Sequence, residues 1–225
     1  MWEKATLFDI DTNIPLIVYK PGTTFPILED FEYFPFQDPF EINVRNEENI
    51  GKEAAYSIQT GQQTDGLVEA LDVFPTMIDV AGLPPVDDCP ESIDESREVD
   101  LCMEGLSFAP LIHDASRQNW KSATFSQYPR SGLQPDENTI LVSLPSMSLM
   151  GYSMRTKDYL YTEWVGYDST LFLADWNDVQ ARELYDLSID PGNQFNVVDH
   201  EEYADVTEEL ARLIRLDWRN AKPTS

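Results

Sequence analysis

Basic side chains are scarce in this chain. Lys and Arg number 15 against 41 Asp and Glu, a formal net charge of −26 over 225 residues. That balance excludes nucleic-acid binding, which needs clustered cations to displace condensed counterions, and it argues equally against docking on an anionic membrane surface. No apolar run approaches the roughly 20 residues that span a bilayer. No basic segment followed by an apolar one marks a secretory leader. Histidine occurs twice and cysteine twice. Neither His113 nor His200 is close in sequence to Cys89 or Cys102, which argues against a zinc site. No Asn-x-Ser/Thr acceptor for glycosylation is present. What remains is ample for a packed core: 42% of residues are hydrophobic and 12% aromatic. The length suits one large domain or two modest ones.

The pattern changes along the chain. Ile14 to Tyr19 is an apolar run closed by Pro21-Gly22, read as a strand buried on both faces. Phe25 to Gln63 has no sustained period and reads as a long irregular excursion. Val68, Leu71, Met77, Ile78 and Ala81 then recur at helical spacing. Pro75 places the start of a regular helix near Asp72, and Gly82 is its stop. From Ser122 the period becomes that of strands. Tyr152, Met154, Tyr159, Tyr161, Trp164 and Val165 suit a half-buried antiparallel sheet, with a hairpin turn at Lys157-Asp158. ARELYDLSIDPGNQ adds a further short strand ending at Asp190-Pro191-Gly192. Leu210, Leu213 and Ile214 share one face of a terminal helix that Asp205 or Thr207 would cap.

Several strings are more specific than their physics requires. Trp2-x-Lys4 precedes Phe8 and the Pro15-Leu16-Ile17-Val18 run. SQYPR covers Ser126 to Arg130, MGYSMRTKDYLYTEWVG covers Met150 to Gly166, and ARELYDLSIDPGNQFN covers Ala181 to Asn196. In this order they resemble the C-terminal portion of the sulfatase family, nearest to its iduronate-2-sulfatase members. The resemblance implies an α/β fold of the alkaline-phosphatase/sulfatase-like class. Residues 1–118 would be the C-terminal part of the large-sheet catalytic domain. Residues 119–225 would be a subdomain made of a small antiparallel sheet and a closing C-terminal helix.

The resemblance also implies a chemistry: hydrolysis of the 2-O-sulfate of uronate residues in heparan or dermatan sulfate. Sulfatases attack sulfur with a formylglycine made from the Cys of C-x-P-S-R, and hold Ca²⁺ against the sulfate. Here Cys89 is followed by Pro90-Glu91-Ser92, so no such motif exists, and the family's metal ligands have no counterpart. Calcium and formylglycine would come from sequence that is not in this chain, and the stretch alone is expected to be inactive. Lys4 carries over from the family's catalytic set as a sulfate contact, an ammonium facing the charge that builds on the ester. On its residues alone it reads as an exposed lysine beside a strand.

Trp2, Tyr128, Arg130 and Trp164 are candidate substrate-binding residues, able to stack on a sugar and pair with an anion. Tyr128 and Trp164 read equally as structural aromatics. Cys89 and Cys102 are either two free thiols or a disulfide, and the resemblance favours the disulfide. His113 and His200 suit surface or helix-end positions. The pairs Asp9/Asp11 and Asp87/Asp88 lack the spacing of a cation loop. The expected partner is a sulfated glycosaminoglycan. Because the chain is itself strongly anionic, the expected setting is a lysosomal or secreted one, where acidic pH would neutralise part of the carboxylates. Two alternatives stand beside this reading: a phosphodiesterase of the same superfamily, and a non-catalytic acidic binding module.

Overall fold

The computed structural model describes residues 6–19, 62–132, 142–216 and 218–223. The chain divides into two compact units, residues 1–15 with 64–225, and residues 16–63. Trp2, Lys4 and nearly all of the Phe25–Gln63 excursion lie outside the described residues.

The first unit is organised by a four-stranded antiparallel sheet, β1 (Thr124–Arg130), β2 (Leu149–Arg155), β3 (Tyr159–Asp168) and β4 (Leu173–Asp186), in the order β1-β2-β3-β4. The β2–β3 hairpin turns at Lys157-Asp158 as its sequence predicts, with Thr156 N–H donating to the Tyr159 carbonyl at 2.8 Å. β4 is longer than the short strand expected from ARELYDLSIDPGNQ: it starts back at Leu173 and ends at Asp186, ahead of the Asp190-Pro191-Gly192 turn. A register shift between Trp164 and Gly166 absorbs a bulge in the β3–β4 ladder. Both Trp164 and Val165 are buried there.

Strand alternation gives this sheet two chemically distinct faces. One carries Met154, Tyr161 and Leu184, and α5 (Ala204–Ile214) packs on it through Leu210 and Ile214. α5 begins just before Asp205, after a 3₁₀ turn at Glu201–Tyr203, and has no side-chain cap. The expected Asp205 or Thr207 cap is therefore not used: Asp205 sits inside the first turn, and Thr207 Oγ1 is buried without a partner among the described residues. The 3₁₀ turn leads straight into the helix and supplies the local hydrogen bonds that a cap otherwise would.

Among the described residues, three short helices and a single turn come ahead of the sheet. The turn is α1 (Asp9–Thr12). α2 (Val73–Val80) follows a 3₁₀ turn at Ala70–Asp72 and ends at Gly82, whose φ of +68° is the left-handed stop that the sequence predicts. α3 (Ile93–Arg97) lies within the Cys89–Cys102 loop, and α4 (Ala109–His113) packs on α2. Cys89 and Cys102 form a disulfide. An adjacent parallel bridge holds them in register: Cys89 N–H donates to the Met103 carbonyl at 3.0 Å, and Met103 N–H to the Asp87 carbonyl at 2.9 Å.

One expectation is overturned. Ile14 to Tyr19 forms no strand and is solvent-exposed, Ile17 at 89%. A strand needs neighbouring backbone groups to pair with, and no described residue supplies them. The apolar stripe of α2 also faces outward. Leu71 and Met77 are 57% and 65% exposed, while the helix buries Pro75 and Thr76 instead.

The 69–72 turn is fastened to the sheet by a buried charge cluster. Lys121 Nζ donates to Glu69 Oε2 at 2.6 Å and to Asp72 Oδ1 at 2.7 Å, with side chains 4%, 12% and 0% exposed. The carboxylates are satisfied further by backbone N–H groups: Leu106 and Glu69 donate to Asp72, and Phe125 donates to Glu69.

Candidate functional site

The sheet face opposite α5 is where the sequence-predicted site residues meet. Tyr128, Gly151 and Trp164 lie in one cross-strand row. Trp164 is buried beside Leu149 and Leu7, and Tyr128 packs against the same cluster. A Cβ at Gly151 would stand 2.7 Å from the Trp164 ring and 2.8 Å from Leu7, so glycine is what lets the indole lie flat on the sheet. Two residues along β1 from Tyr128, the Arg130 guanidinium lies 4.4 Å from the centre of the Trp164 ring. Such a cation–π contact contributes about 0.5–2 kcal/mol, depending on desolvation. It also holds the guanidinium in one orientation.

The indole is fixed from its other side as well. Trp164 Nε1 donates to Glu183 Oε1 at 2.7 Å, and the Tyr185 hydroxyl donates to Glu183 Oε2 at 2.8 Å. Burial and the Glu183 carboxylate push the Tyr185 phenol well above the usual tyrosine range. Tyr185 meets Phe8 edge-to-face, with ring centres 5.6 Å apart.

Leu7, Phe8 and Asp9 are thus laid across this face. Asp9 closes the latch: its carboxylate pairs with Arg155 at 2.5 Å, and its N–H donates to Asn193 Oδ1 at 2.7 Å. Asn193 adopts a left-handed φ of 52° in the turn after Asp190-Pro191-Gly192, a conformation asparagine tolerates better than most residues. Its Nδ2 is buried without a partner among the described residues.

Arg130, Tyr128 and Trp164 are therefore brought together, and the segment that follows Trp2-x-Lys4 in sequence is docked against them. Trp2 and Lys4 lie outside the described residues. The supporting groups Glu183, Tyr185, Asp9, Arg155 and Asn193 escaped the sequence reading. For Glu183 and Tyr185 a signal existed: they sit two apart on β4, on the same face as Ala181, the register partner of Trp164.

The remaining candidates fall elsewhere. His113 is exposed at the end of α4, and His200 is exposed, 3.7 Å from Glu202. Asp11 accepts a hydrogen bond from Thr6, and Asp88 pairs with Lys222 at 2.9 Å. Among the described residues, no three His, Cys, Asp or Glu side chains converge as a cation site. Both cysteines are consumed by the disulfide. Among the described residues, therefore, no side-chain group fits calcium and no cysteine thiol is left as a formylglycine precursor. No helix in the described residues is long and apolar enough to cross a membrane.

Known proteins match this chain over most of its length. The family described as N-sulphoglucosamine sulphohydrolase, C-terminal, matches residues 53–219. Iduronate 2-sulfatase of Mus musculus is 35% identical over 218 residues, covering 93% of this chain and 37% of the mouse protein. The Homo sapiens protein of the same name is 35% identical over 217 residues, covering 91% and 36%. N-acetylglucosamine-6-O-sulfatase of Bacteroides thetaiotaomicron is 22% identical over 160 residues, covering 70% and 22%. The chain thus spans little more than a third of the length of the two iduronate 2-sulfatases. Among solved structures, the phosphonate monoester hydrolase of Agrobacterium radiobacter aligns with a TM-score of 0.45 at 20% identity, over 69% of this chain and 26% of that one. A protein bound to D-glucosamine-2-N,6-O-disulfate aligns with a TM-score of 0.41 at 24% identity, over 64% and 22%. At these scores the structural likeness carries no weight for substrate or mechanism. The family match covers most of the chain, and by it this protein belongs to the sulfatase family, in whose C-terminal region its sequence falls.

Proposed function

We propose that this chain is the C-terminal portion of a sulfuric ester hydrolase resembling iduronate 2-sulfatase, acting on the 2-O-sulfate of uronate residues in heparan or dermatan sulfate. The observation that carries the reading is the docking of residues 7–9 onto the Arg130–Trp164 face, in a chain of this family. Lys4 precedes Leu7 by three residues, a reach of at most about 11 Å in extended chain. Lys4, Trp2 and Arg130 then serve one anionic sugar.

Each group has a distinct task. Lys4 holds its ammonium against the sulfate oxygens, where negative charge grows as the ester bond breaks. Arg130 pairs with sulfate or carboxylate, pre-oriented by Trp164 so that little rotamer freedom is lost on binding. Trp2 and Tyr128 offer apolar surface to the sugar ring. Formylglycine and Ca²⁺ supply the nucleophile and sulfate polarisation in sulfatases, and the described residues hold neither. Residues 1–118 are read as the end of the catalytic domain and 119–225 as the C-terminal subdomain. The outward apolar face of α2 supports that division, since such a face suits the interior of a larger α/β domain. The setting is lysosomal or secreted, in keeping with the disulfide. The 225 residues alone are expected to be inactive.

Reading the coding sequence in frame upstream of Met1 tests the proposal. A C-x-P-S-R motif followed by acidic metal ligands supports it. An upstream frame with a lone Thr nucleophile favours a phosphodiesterase. A frame closed immediately before Met1 makes the chain a binding module.

A further inference from the structure

A second constellation of charge occupies the α5 side of the sheet, away from the Arg130–Trp164 face. Glu163 is fully buried in β3. Its Oε1 accepts from the Tyr161 hydroxyl at 2.7 Å and from Arg182 Nε at 3.2 Å, and its Oε2 accepts from Arg215 Nη2 at 2.7 Å. Burial and the hydrogen bond to this carboxylate push the Tyr161 phenol upward, so it stays a neutral donor.

The arginines are not exhausted by this task. One guanidinium fork can satisfy a carboxylate by itself through two parallel bonds. Here each arginine gives a single N–H, and no other acceptor among the described residues takes the rest. The Arg182 and Arg215 side chains are 44% and 37% exposed, against 0% for Glu163. Two guanidiniums thus share the one buried carboxylate, with the Asp199 carboxylate also in the adjoining cavity wall, and donors remain at the surface of a chain whose net charge is −26. At physiological ionic strength the wider negative field is screened over about 8 Å, so the remaining guanidinium donors are felt at contact range.

An aromatic wall lies by Arg215, and open space lies by Arg182. The Trp176 ring, half-buried against Tyr152 with ring centres 4.9 Å apart, lies 5.8 Å from the Arg215 guanidinium. A cavity of about 420 Å³ opens beside Arg182, lined by Val179, Gln180, Ala181, Val198 and Asp199. Arg182 engages Glu163 through Nε, and its side chain is 44% exposed beside the Asp199 wall of this cavity.

We propose that Arg182 and Arg215, with Trp176, form a second saccharide-binding site that takes the sulfate or carboxylate of an anionic sugar on the two guanidiniums. Fork donors, an aromatic wall and an open cavity are the parts that such a ligand requires. The site would hold a sugar unit outside the hydrolytic centre. The choice of a uronate sugar rests on the sulfatase reading, while the anion site rests on the geometry alone.

The test is calorimetric titration of the 225-residue chain with a 2-O-sulfated uronate disaccharide, its desulfated form, a neutral disaccharide and inorganic sulfate. The double variant Arg182→Lys/Arg215→Lys keeps both charges and the pairing to Glu163 but removes the forks. It should weaken the sulfated disaccharide at least tenfold with its thermal midpoint unchanged. Arg212→Lys, on the exposed pair with Glu209, should leave affinity as it is. Trp176→Leu should weaken the disaccharide and spare inorganic sulfate. Loss of binding on desulfation assigns the anion contact to sulfate, and its retention assigns it to the carboxylate. Absence of saturable binding, or equal weakening by Arg212→Lys, overturns the site. Binding lost in Arg130→Lys but kept in the double variant also overturns it, and leaves the hydrolase reading standing.

Discussion

Lys121→Met is the sharpest test of how the segment before the sheet is held to it. The side chain is 4% exposed and touches two carboxylates, one of them fully buried. Methionine fills similar space, so the packing term is small, and the loss is that of a buried cation between two buried anions. Removing one partner of such a cluster costs about 3–5 kcal/mol, because the remaining charge is left uncompensated. Backbone donors from Leu106, Glu69 and Phe125 remain on the carboxylates, and favour the lower end. Against a typical stability of about 5–15 kcal/mol this is severe. In urea, with slopes of about 1–3 kcal/mol per molar, the unfolding midpoint should fall by about 1 M or more. The triple variant Lys121→Met/Asp72→Asn/Glu69→Gln, which leaves no unpaired ion, should recover part of the loss. Circular dichroism during urea unfolding reads both. A midpoint within about 0.3 M of the parent in Lys121→Met would refute the argument.

Other consequences are as direct. Gly151→Ala forces a Cβ into Trp164 and Leu7 and should cost about 1–3 kcal/mol by overpacking, read from the thermal midpoint. Reducing Cys89–Cys102 should lower stability by about 3 kcal/mol for a loop of this size, and an unchanged melt under reductant would argue that the bridge constrains little. Tyr161 and Tyr185 have raised folded-state pKa values. Their contribution is complete below the unfolded tyrosine pKa of about 10 and declines as pH rises beyond it. Ultraviolet titration should show both ionising above the exposed tyrosines, and Tyr161→Phe should flatten the alkaline loss. Asp186 is held below the ordinary carboxylate range by hydrogen bonds from Ser188 and Tyr203. Its share is present above the unfolded pKa of about 4 and lost as pH falls through the lower folded value, which carbon-detected NMR titration of its carboxyl can follow.

Much of the C-terminal half was legible because its information is local. Alternation over Tyr152 to Val165, the Lys157-Asp158 turn and the Leu210/Leu213/Ile214 stripe each specify an element without reference to distant residues. Gly82 likewise announces its left-handed stop. What the sequence hid is non-local. The Asp9–Arg155 latch joins groups 146 residues apart, and the Lys121–Asp72 pair joins groups 49 apart. Neither spacing has a period. Ile14–Tyr19 misled for the opposite reason: its apolar pattern is sound, but hydrophobicity says that a surface wants covering and not which residues cover it. At the site, Tyr128, Arg130 and Trp164 could be named from residue type, whereas Glu183 and Tyr185 emerge only once the register across β3 and β4 is known.

The central claim is that this sheet face serves sulfate-ester hydrolysis. Sulfate release from a 2-O-sulfated uronate disaccharide, by the protein expressed together with its in-frame upstream sequence, tests it most directly. The account predicts turnover that falls at least a hundredfold in Lys4→Met, about 2.7 kcal/mol of transition-state stabilisation. It also predicts a raised KM with little change in kcat for Arg130→Lys. Turnover that is indifferent to both substitutions, or confined to phosphate diesters, would contradict it.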